Sequence, residues 1–191
     1  MRRTGGSTLL FHQFNCVIKF MPPFSAINHG ELSKLISMAS QAPSGCFVEV
    51  GVWKGGSAWH LEQLAMQQQR QIFLYDTFTG IPYKEAIDFH NVGDFSDTSY
   101  DEVKKYLTYA TITKGIFPES AIVMPKVAFA HLDCDQYKSV KLSSIYLSKI
   151  MVPDGIIYFD DYALEGARKA VHELFEGRIE KTEFAQAFVR F

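Results

Sequence analysis

From residue 46 onward, short apolar segments alternate with longer segments in which apolar residues recur at helical spacing. This pattern indicates parallel strands joined by helices, because consecutive parallel strands need a long crossover connection. We therefore predict an α/β domain whose doubly wound, mostly parallel sheet is covered by helices on both faces. The predicted strands are 46–50, 72–76, 110–113, 127–133 and 155–160, and the predicted helices are 56–69, 99–108, 137–150 and 163–176.

The two ends of the chain depart from this regular pattern. Residues 1–30 are irregular, whereas "ELSKLISMAS" at 31–40 has helical spacing. We predict that residues 1–45 form an extension whose first helix packs on the core, and that 46–191 form the main domain. The last segment, "KTEFAQAFVRF" at 181–191, is expected to add one or two closing strands.

The charge balance argues against a dedicated nucleic-acid-binding protein, because the net charge is −2 and basic residues do not cluster. The three cysteines have no CxxC spacing, which fits a reducing compartment better than a disulfide framework or a zinc site. No segment approaches the roughly 20 apolar residues of a membrane span, and no signal-like apolar core is present. We therefore expect a cytoplasmic protein without a membrane or nucleic-acid partner.

Acidic residues collect at the predicted carboxyl ends of the strands, which is the edge where doubly wound sheets bind ligands. "FAHLDCDQYK" leads into Asp133 and Asp135, and "GIIYFDDY" leads into Asp160 and Asp161. Asp133 and Asp160 are 27 residues apart, which leaves room for a strand–helix–strand crossover. On adjacent strands these two side chains would start about 5 Å apart.

Carboxylates at that separation repel each other by roughly 3 kcal/mol at an effective dielectric near 20. The acids must therefore be protonated or share a cation. Ligands that offer only oxygen select a hard ion, most simply Mg²⁺, with Mn²⁺ or Ca²⁺ as alternatives. A second interpretation is that Asp135 and Asp161 merely cap the helices that follow them.

The first strand and its turn read "VEVGVWKGGS", in which Gly51 and Gly55 permit a sharp turn and close approach of a ligand. A dinucleotide fingerprint would need glycine at Trp53, so a cofactor without phosphates, such as S-adenosylmethionine, fits better. Asp76 ends the second strand 25 residues after Gly51, the usual place for an acid that binds ribose hydroxyls. The alternatives are a plain strand–helix turn and an acid that caps a loop.

Two further features concern a histidine and two aromatic residues. His131 lies in the middle of a predicted strand and is interpreted as a structural residue rather than a ligand. Phe89 and Phe95 lie in a predicted loop, where they would either cover a cofactor ring or form ordinary surface.

Six stretches of the chain together resemble the macrocin O-methyltransferase family, the antibiotic-sugar methyltransferases of class I fold. They are "FVEVGVWKGGS", "YDTFTGIP", "GDFSDTS", "KGIFPES", "HLDCDQYKS" and "GIIYFDDY", in this order between residues 46 and 162. The set is specific, although no single stretch is. The resemblance implies a Rossmann-like methyltransferase domain at 46–191 that binds S-adenosylmethionine.

The resemblance also implies roles for individual residues. Asp133, Asp160 and Asp161 would hold Mg²⁺, and the ion would bind two neighbouring hydroxyls of a sugar. In some family members an acid at the position of Asp135 removes the proton, whereas others use a histidine at the next position, which is Gln136 here. The expected cofactor-binding residues are Glu49, Gly51, Gly55, Ser57, Asp76, Thr77 and Phe78.

Three other functions compete with a sugar methyltransferase. A catechol-type O-methyltransferase uses the same strand ends with Asn where this chain has Asp161. A haloacid-dehalogenase-like phosphatase has a similar DxD strand, but as its first strand rather than its fourth. The last alternative is a non-catalytic cofactor-binding module. For an enzyme we expect a small-molecule acceptor with neighbouring hydroxyls. The sequence also allows a homo-oligomer.

Overall fold

The computed structural model describes residues 22–191, in which seven strands and five helices are formed. The strands are β1 (Cys46–Val50), β2 (Ile72–Asp76), β3 (Thr111–Lys114), β4 (Val127–Leu132), β5 (Met151–Phe159), β6 (Glu180–Lys181) and β7 (Ala187–Arg190). The helices are α1 (His29–Ser40), α2 (Gly56–Gln67), α3 (Tyr100–Lys104), α4 (Tyr137–Ser148) and α5 (Glu165–Phe175).

All the described strands belong to one sheet, in the order β3-β2-β1-β4-β5-β7-β6. Strands β1 to β5 run parallel, whereas β7 pairs antiparallel with β5 and β6. The chain thus starts in the middle of the sheet, winds to one edge and then returns to the other side. This topology confirms the predicted doubly wound, mostly parallel sheet.

Both faces of the sheet are covered by helices because successive side chains of the strands point to opposite faces. Phe47 packs in the apolar cluster beneath α1 and α2, and Val48, the next residue, packs in the cluster beneath α4 and α5. Every residue of β1 and β4 is buried, as expected for central strands of a parallel sheet.

The register of the central strands aligns their carboxyl ends. Val50 of β1 lies beside Leu132 of β4, and Leu132 lies beside Phe159 of β5. The next residue on each strand is Gly51, Asp133 or Asp160. These residues therefore meet at one edge of the sheet, as the sequence pattern predicts.

Helix α3 and strand β5 differ in extent from their predicted ranges. The helix predicted at 99–108 ends at Lys104. Further along, the buried Glu62 of α2 accepts hydrogen bonds from the backbone N–H groups of Tyr109 (2.8 Å) and Ala110 (2.9 Å) in the bend before β3. Strand β5 begins earlier than predicted because Met151 pairs with Val127 of β4.

The predicted N-terminal extension at 1–45 is described only from residue 22, and residues 1–21 lie outside the described part. Helix α1 begins after Asn28, whose side chain accepts from the N–H groups of Gly30 and Glu31. The Glu31 side chain in turn accepts from the Asn28 N–H, which completes a capping box. Residues of α1 share the apolar cluster with α2. Within residues 22–191, no helix is both long and apolar enough to span a bilayer.

Two glycines with similar φ angles give a matched test of the close packing at Gly51. Gly51 has φ +93° and Gly177 has φ +81°, so alanine is strained at both positions, by about 1–2 kcal/mol. A Cβ atom at Gly51 would also overlap the carbonyl oxygen of Asp133, whereas one at Gly177 meets nothing within 4 Å. We expect Gly177→Ala to lower the free energy of unfolding by about 1 kcal/mol and Gly51→Ala by at least about 3 kcal/mol. Equal decreases in the free energy of unfolding of the two variants, measured by urea denaturation, would contradict the close contact between Gly51 and the carbonyl of Asp133.

Candidate active site

A cleft of about 330 Å³ lies above the carboxyl ends of β1, β2, β4 and β5. This volume is in the range of small-molecule sites. Seven of the eleven residues predicted to bind the cofactor, bind the metal or act as the base line it, namely Gly51, Asp76, Thr77, Asp133, Asp135, Asp160 and Asp161. The predicted cofactor turn and the predicted acid cluster therefore face the same cavity.

Asp133, Asp160 and Asp161 form a compact group of acids in this cleft. Each offers one carboxylate oxygen, and the three oxygens lie within 4.8 Å of one another. Burial, followed by the charges of Asp160 and Asp161, raises the pKa of Asp133 well above its ordinary value. Burial and the neighbouring acids Asp135 and Asp160 do the same to the pKa of Asp161. The arrangement therefore opposes ionisation of Asp133 and of Asp161.

The composition of the cleft favours a shared cation as the way to relieve this repulsion. No lysine or arginine occurs among the described residues that line the cavity, so no permanent positive charge offsets the acids. Three carboxylate oxygens without sulfur or imidazole are ligands for a hard divalent ion. The residues present thus fit Mg²⁺ or a similar ion.

Asp135 lies in the same cleft but outside the group of three acids. Its backbone has φ +57°, a left-handed conformation that is uncommon for a residue other than glycine. Its N–H donates to Asp161 Oδ2 at 2.8 Å, and its Oδ1 lies 3.5 Å from His90 Nε2. Burial raises the pKa of Asp135 to about 6, and the neighbouring His90 opposes this rise. A carboxyl group with such a pKa can accept a proton near neutral pH.

Asp76 is bound to the backbone of the glycine turn. Its Oδ2 accepts from the N–H groups of Val52 (2.7 Å) and Trp53 (2.8 Å), and its Oδ1 accepts from the N–H of Phe78 (2.6 Å). A carboxylate can accept about four hydrogen bonds, so one position is left for a ligand. Asp76 can thus fix the turn and still accept a single ribose hydroxyl.

Four other expected cofactor-binding residues lie behind the cleft rather than in its lining. The fully buried Glu49 accepts from Ser57 Oγ at 2.6 Å and pairs with His131 Nδ1 at 2.8 Å. Gly55 lies against the ring of Tyr106, and the buried Phe78 packs on Tyr100. These contacts are with other protein groups, and the role of the four residues in cofactor binding stays a prediction.

The two aromatic residues of the loop have different positions. Phe95 lines the cleft, with its ring against Trp53 at a centroid distance of 5.8 Å. Phe89 is 75 % exposed and is not part of the lining. Of the two, only Phe95 is placed where it can contact a ligand.

Sequence reasoning missed His90, because it is an isolated histidine in a loop without periodicity. The loop is held over the cleft at two points. Asp88 Oδ1 accepts from the N–H of Tyr137 at the start of α4 (2.7 Å), and Gln136 Nε2 donates to the carbonyl of His90 (3.0 Å). These contacts hold the His90 imidazole beside Asp135.

The chain is similar to known methyltransferases. A family model described as macrocin-O-methyltransferase (TylF) matches residues 31–181. A Streptomyces olivaceus protein named 8-demethyl-8-(2,3-dimethoxy-alpha-L-rhamnosyl)-tetracenomycin-C 4'-O-methyltransferase is 27 % identical over 154 residues. The match covers 70 % of this chain but only 59 % of that protein, so the chain spans little more than half of its relative.

Two solved structures share the fold at low sequence identity. The O-methyltransferase NovP superposes with a TM-score of 0.73 at 19 % identity, over 83 % of this chain and 78 % of NovP. CalS11, described as a calicheamicin methyltransferase and as a TDP-rhamnose 3'-O-methyltransferase, has a TM-score of 0.69 at 19 % identity. This superposition covers 86 % of this chain and 80 % of CalS11.

The acid cluster leads to an expectation for metal binding. Excess MgCl₂ should raise the melting temperature by roughly 5–10 °C at about 100 times the dissociation constant, because the ion relieves the repulsion only in the folded state. Asp133→Asn should lose this response, whereas Asp154→Asn, at an acid of β5 outside the cleft, should keep it. Thermal unfolding at matched ionic strength measures the effect. An equal response of both variants would place the ion elsewhere.

Proposed function

The chain belongs to the macrocin O-methyltransferase family, and from this membership we propose that it is a metal-dependent O-methyltransferase. It would move a methyl group from S-adenosylmethionine to a hydroxyl of a sugar or a similar vicinal diol. One observation carries the proposal: three acids with the spacing of metal ligands share a cleft with Asp135 and with the glycine turn. Family membership also removes the phosphatase alternative, whose DxD motif belongs to a different fold.

The glycine turn and the end of β2 would bind S-adenosylmethionine. Gly51 lines the cleft, and because it has no Cβ atom the turn after β1 can pack directly against the carbonyl group of Asp133. Asp76 would accept a hydrogen bond from the ribose through its one remaining position, with Thr77 beside it in the lining. When bound, this cofactor supplies an electrophilic methyl group on a positively charged sulfur.

Asp133, Asp160 and Asp161 would hold the divalent ion, most simply Mg²⁺. When bound, such an ion lowers the pKa of a coordinated hydroxyl and orients it. The three side chains extend from the aligned ends of β4 and β5, so the sheet itself fixes their separation. Rigid ligands of this kind are suited to a catalytic centre, because geometry there must hold within about 0.5 Å.

Asp135 would act as the base. It would take the proton of the acceptor hydroxyl while the oxygen forms a bond to the methyl carbon and the carbon–sulfur bond breaks. The proton thus stays on the protein, and the positive charge of the sulfur is lost with the methyl group. His90 would stabilise the ionised form of Asp135, since its imidazole lies at ion-pair distance from the carboxylate.

Relatives favour a sugar as the acceptor. The Streptomyces olivaceus protein is named for a rhamnosyl derivative, and CalS11 is described as acting on TDP-rhamnose. Asp161 also supports a sugar enzyme, because the catechol-type alternative expects asparagine at that position. A rhamnose-like diol is therefore the first acceptor to test.

Transfer of a tritiated methyl group would test this function. We expect methylation of TDP-L-rhamnose or methyl α-L-rhamnoside but not of 3,4-dihydroxybenzoate, and loss of turnover in EDTA that added Mg²⁺ reverses. Asp135→Asn should lower kcat by about 10²–10⁴-fold, because a general base contributes that much. Its affinity for S-adenosylmethionine, measured by calorimetry, should not change.

Each alternative has its own outcome in these assays. Preference for the catechol would favour the catechol-type enzyme, and full activity in EDTA would exclude the metal. Cofactor binding with no transfer to any probe, by wild type or variant, would favour the non-catalytic module.

A further inference from the structure

Gln186 and Tyr158 form a buried hydrogen-bonded pair behind Asp160. Gln186 is 1 % exposed and Tyr158 is fully buried, and neither lines the cleft. The Gln186 side-chain N–H donates to Asp160 Oδ1, and the Tyr158 hydroxyl donates to Gln186 Oε1 at 2.6 Å. One carboxylate oxygen of a candidate metal ligand is thus bound from inside the protein.

The antiparallel strand β7 places Gln186 at this point. Phe159 of β5 pairs with Ala187 of β7, so Asp160, the residue after β5, lies opposite Gln186, the residue before β7. Tyr158 of β5 stacks on Phe188 of β7 with an interplanar angle of 5°. The contact therefore depends on strand register and not on a loose surface loop.

Tyr158 determines which end of the Gln186 amide faces Asp160. The Tyr158 hydroxyl lies 2.6 Å from Gln186 Oε1, and a phenolic hydroxyl can donate its proton to an amide oxygen. A hydroxyl that donates to the Gln186 carbonyl oxygen leaves the amide N–H₂ directed at the carboxylate. Without the hydroxyl, the amide could turn its oxygen toward Asp160 and repel it.

A second nitrogen lies near the same carboxylate oxygen. His131 Nε2 is 3.5 Å from Asp160 Oδ1, while its Nδ1 pairs with the buried Glu49. Within residues 22–191, Asp160 Oδ2 accepts no hydrogen bond from the protein, in contrast to Asp161 Oδ2, which accepts the Asp135 N–H. Asp160 is therefore held by one oxygen, and its other oxygen stays available.

We propose that Gln186, oriented by Tyr158, is a positioning residue for the metal centre that fixes Asp160 Oδ1 so that Oδ2 is left for the cation. The inference rests on the proposed metal dependence and adds a residue that lies outside the cleft. A neutral amide suits this role because it directs the carboxylate without cancelling its charge, which a lysine or arginine would do. Residues that orient metal ligands in this way typically contribute 10- to 100-fold to metal affinity.

Calorimetric binding of Mn²⁺ tests the role without any acceptor. Gln186→Leu should raise the dissociation constant for Mn²⁺ by about 10- to 100-fold. Tyr158→Phe should raise it in the same direction by a smaller factor, because the amide loses its fixed orientation. The control is Thr182→Val. The Thr182 hydroxyl donates to the backbone carbonyl of Gln186 and makes no hydrogen bond with Asp160, so its removal should leave the Mn²⁺ affinity unchanged.

The affinity for S-adenosylhomocysteine shows whether each variant keeps the fold of the cleft. A purely structural role would weaken both ligands together, whereas a positioning role weakens Mn²⁺ alone. Unchanged Mn²⁺ affinity in Gln186→Leu overturns the inference, and if that variant does not fold, Tyr158→Phe decides in the same way. Wild-type protein that binds no Mn²⁺ would instead overturn the proposed metal centre itself.

Discussion

Repulsion among carboxylates at one edge of the sheet is the constraint on which the rest of this site depends. Parallel strands β4 and β5 end in register, so Asp133 and Asp160 are brought together by the same hydrogen bonds that form the sheet. Asp161 adds a third acid, and burial raises the cost of their charge further. Burial of the apolar core stabilises the fold and can offset this unfavourable electrostatic energy. A bound cation would replace the repulsion among the carboxylates by attraction to the ion.

The two halves of the cleft are joined by direct backbone contacts. The N–H of Gly51 donates to the carbonyl of Tyr75, and the N–H of Asp133 donates to that of Val50, both at 2.9 Å. Asp76 then ties the turn after β1 to the end of β2. The proposed cofactor side and the acidic side are therefore parts of one edge of the sheet, which is the condition for bringing a methyl donor and an acceptor hydroxyl together in a fixed geometry.

Much of this architecture could be predicted from the sequence because it depends on periodicity. Strands β1 and β2 have the predicted ranges, and the acids at the ends of β4 and β5 meet as their spacing indicates. Glu49 and Ser57 lie behind the lining of the cleft, which the motif could not indicate because it gives the position of a residue along the chain, not the direction of its side chain. His90 and Gln186 carry no motif at all, and only the anchored loop and the register of β7 bring them to the acids.

Crystals grown with Mn²⁺ and S-adenosylhomocysteine would test the central claim, that one cleft holds both a cation and the cofactor. Anomalous diffraction locates manganese without reference to the rest of the density. We expect a single strong peak bonded to Asp133, Asp160 and Asp161, with the cofactor over Gly51 in the same cavity. A cofactor bound there with manganese absent from the three acids, or bound elsewhere, would contradict it.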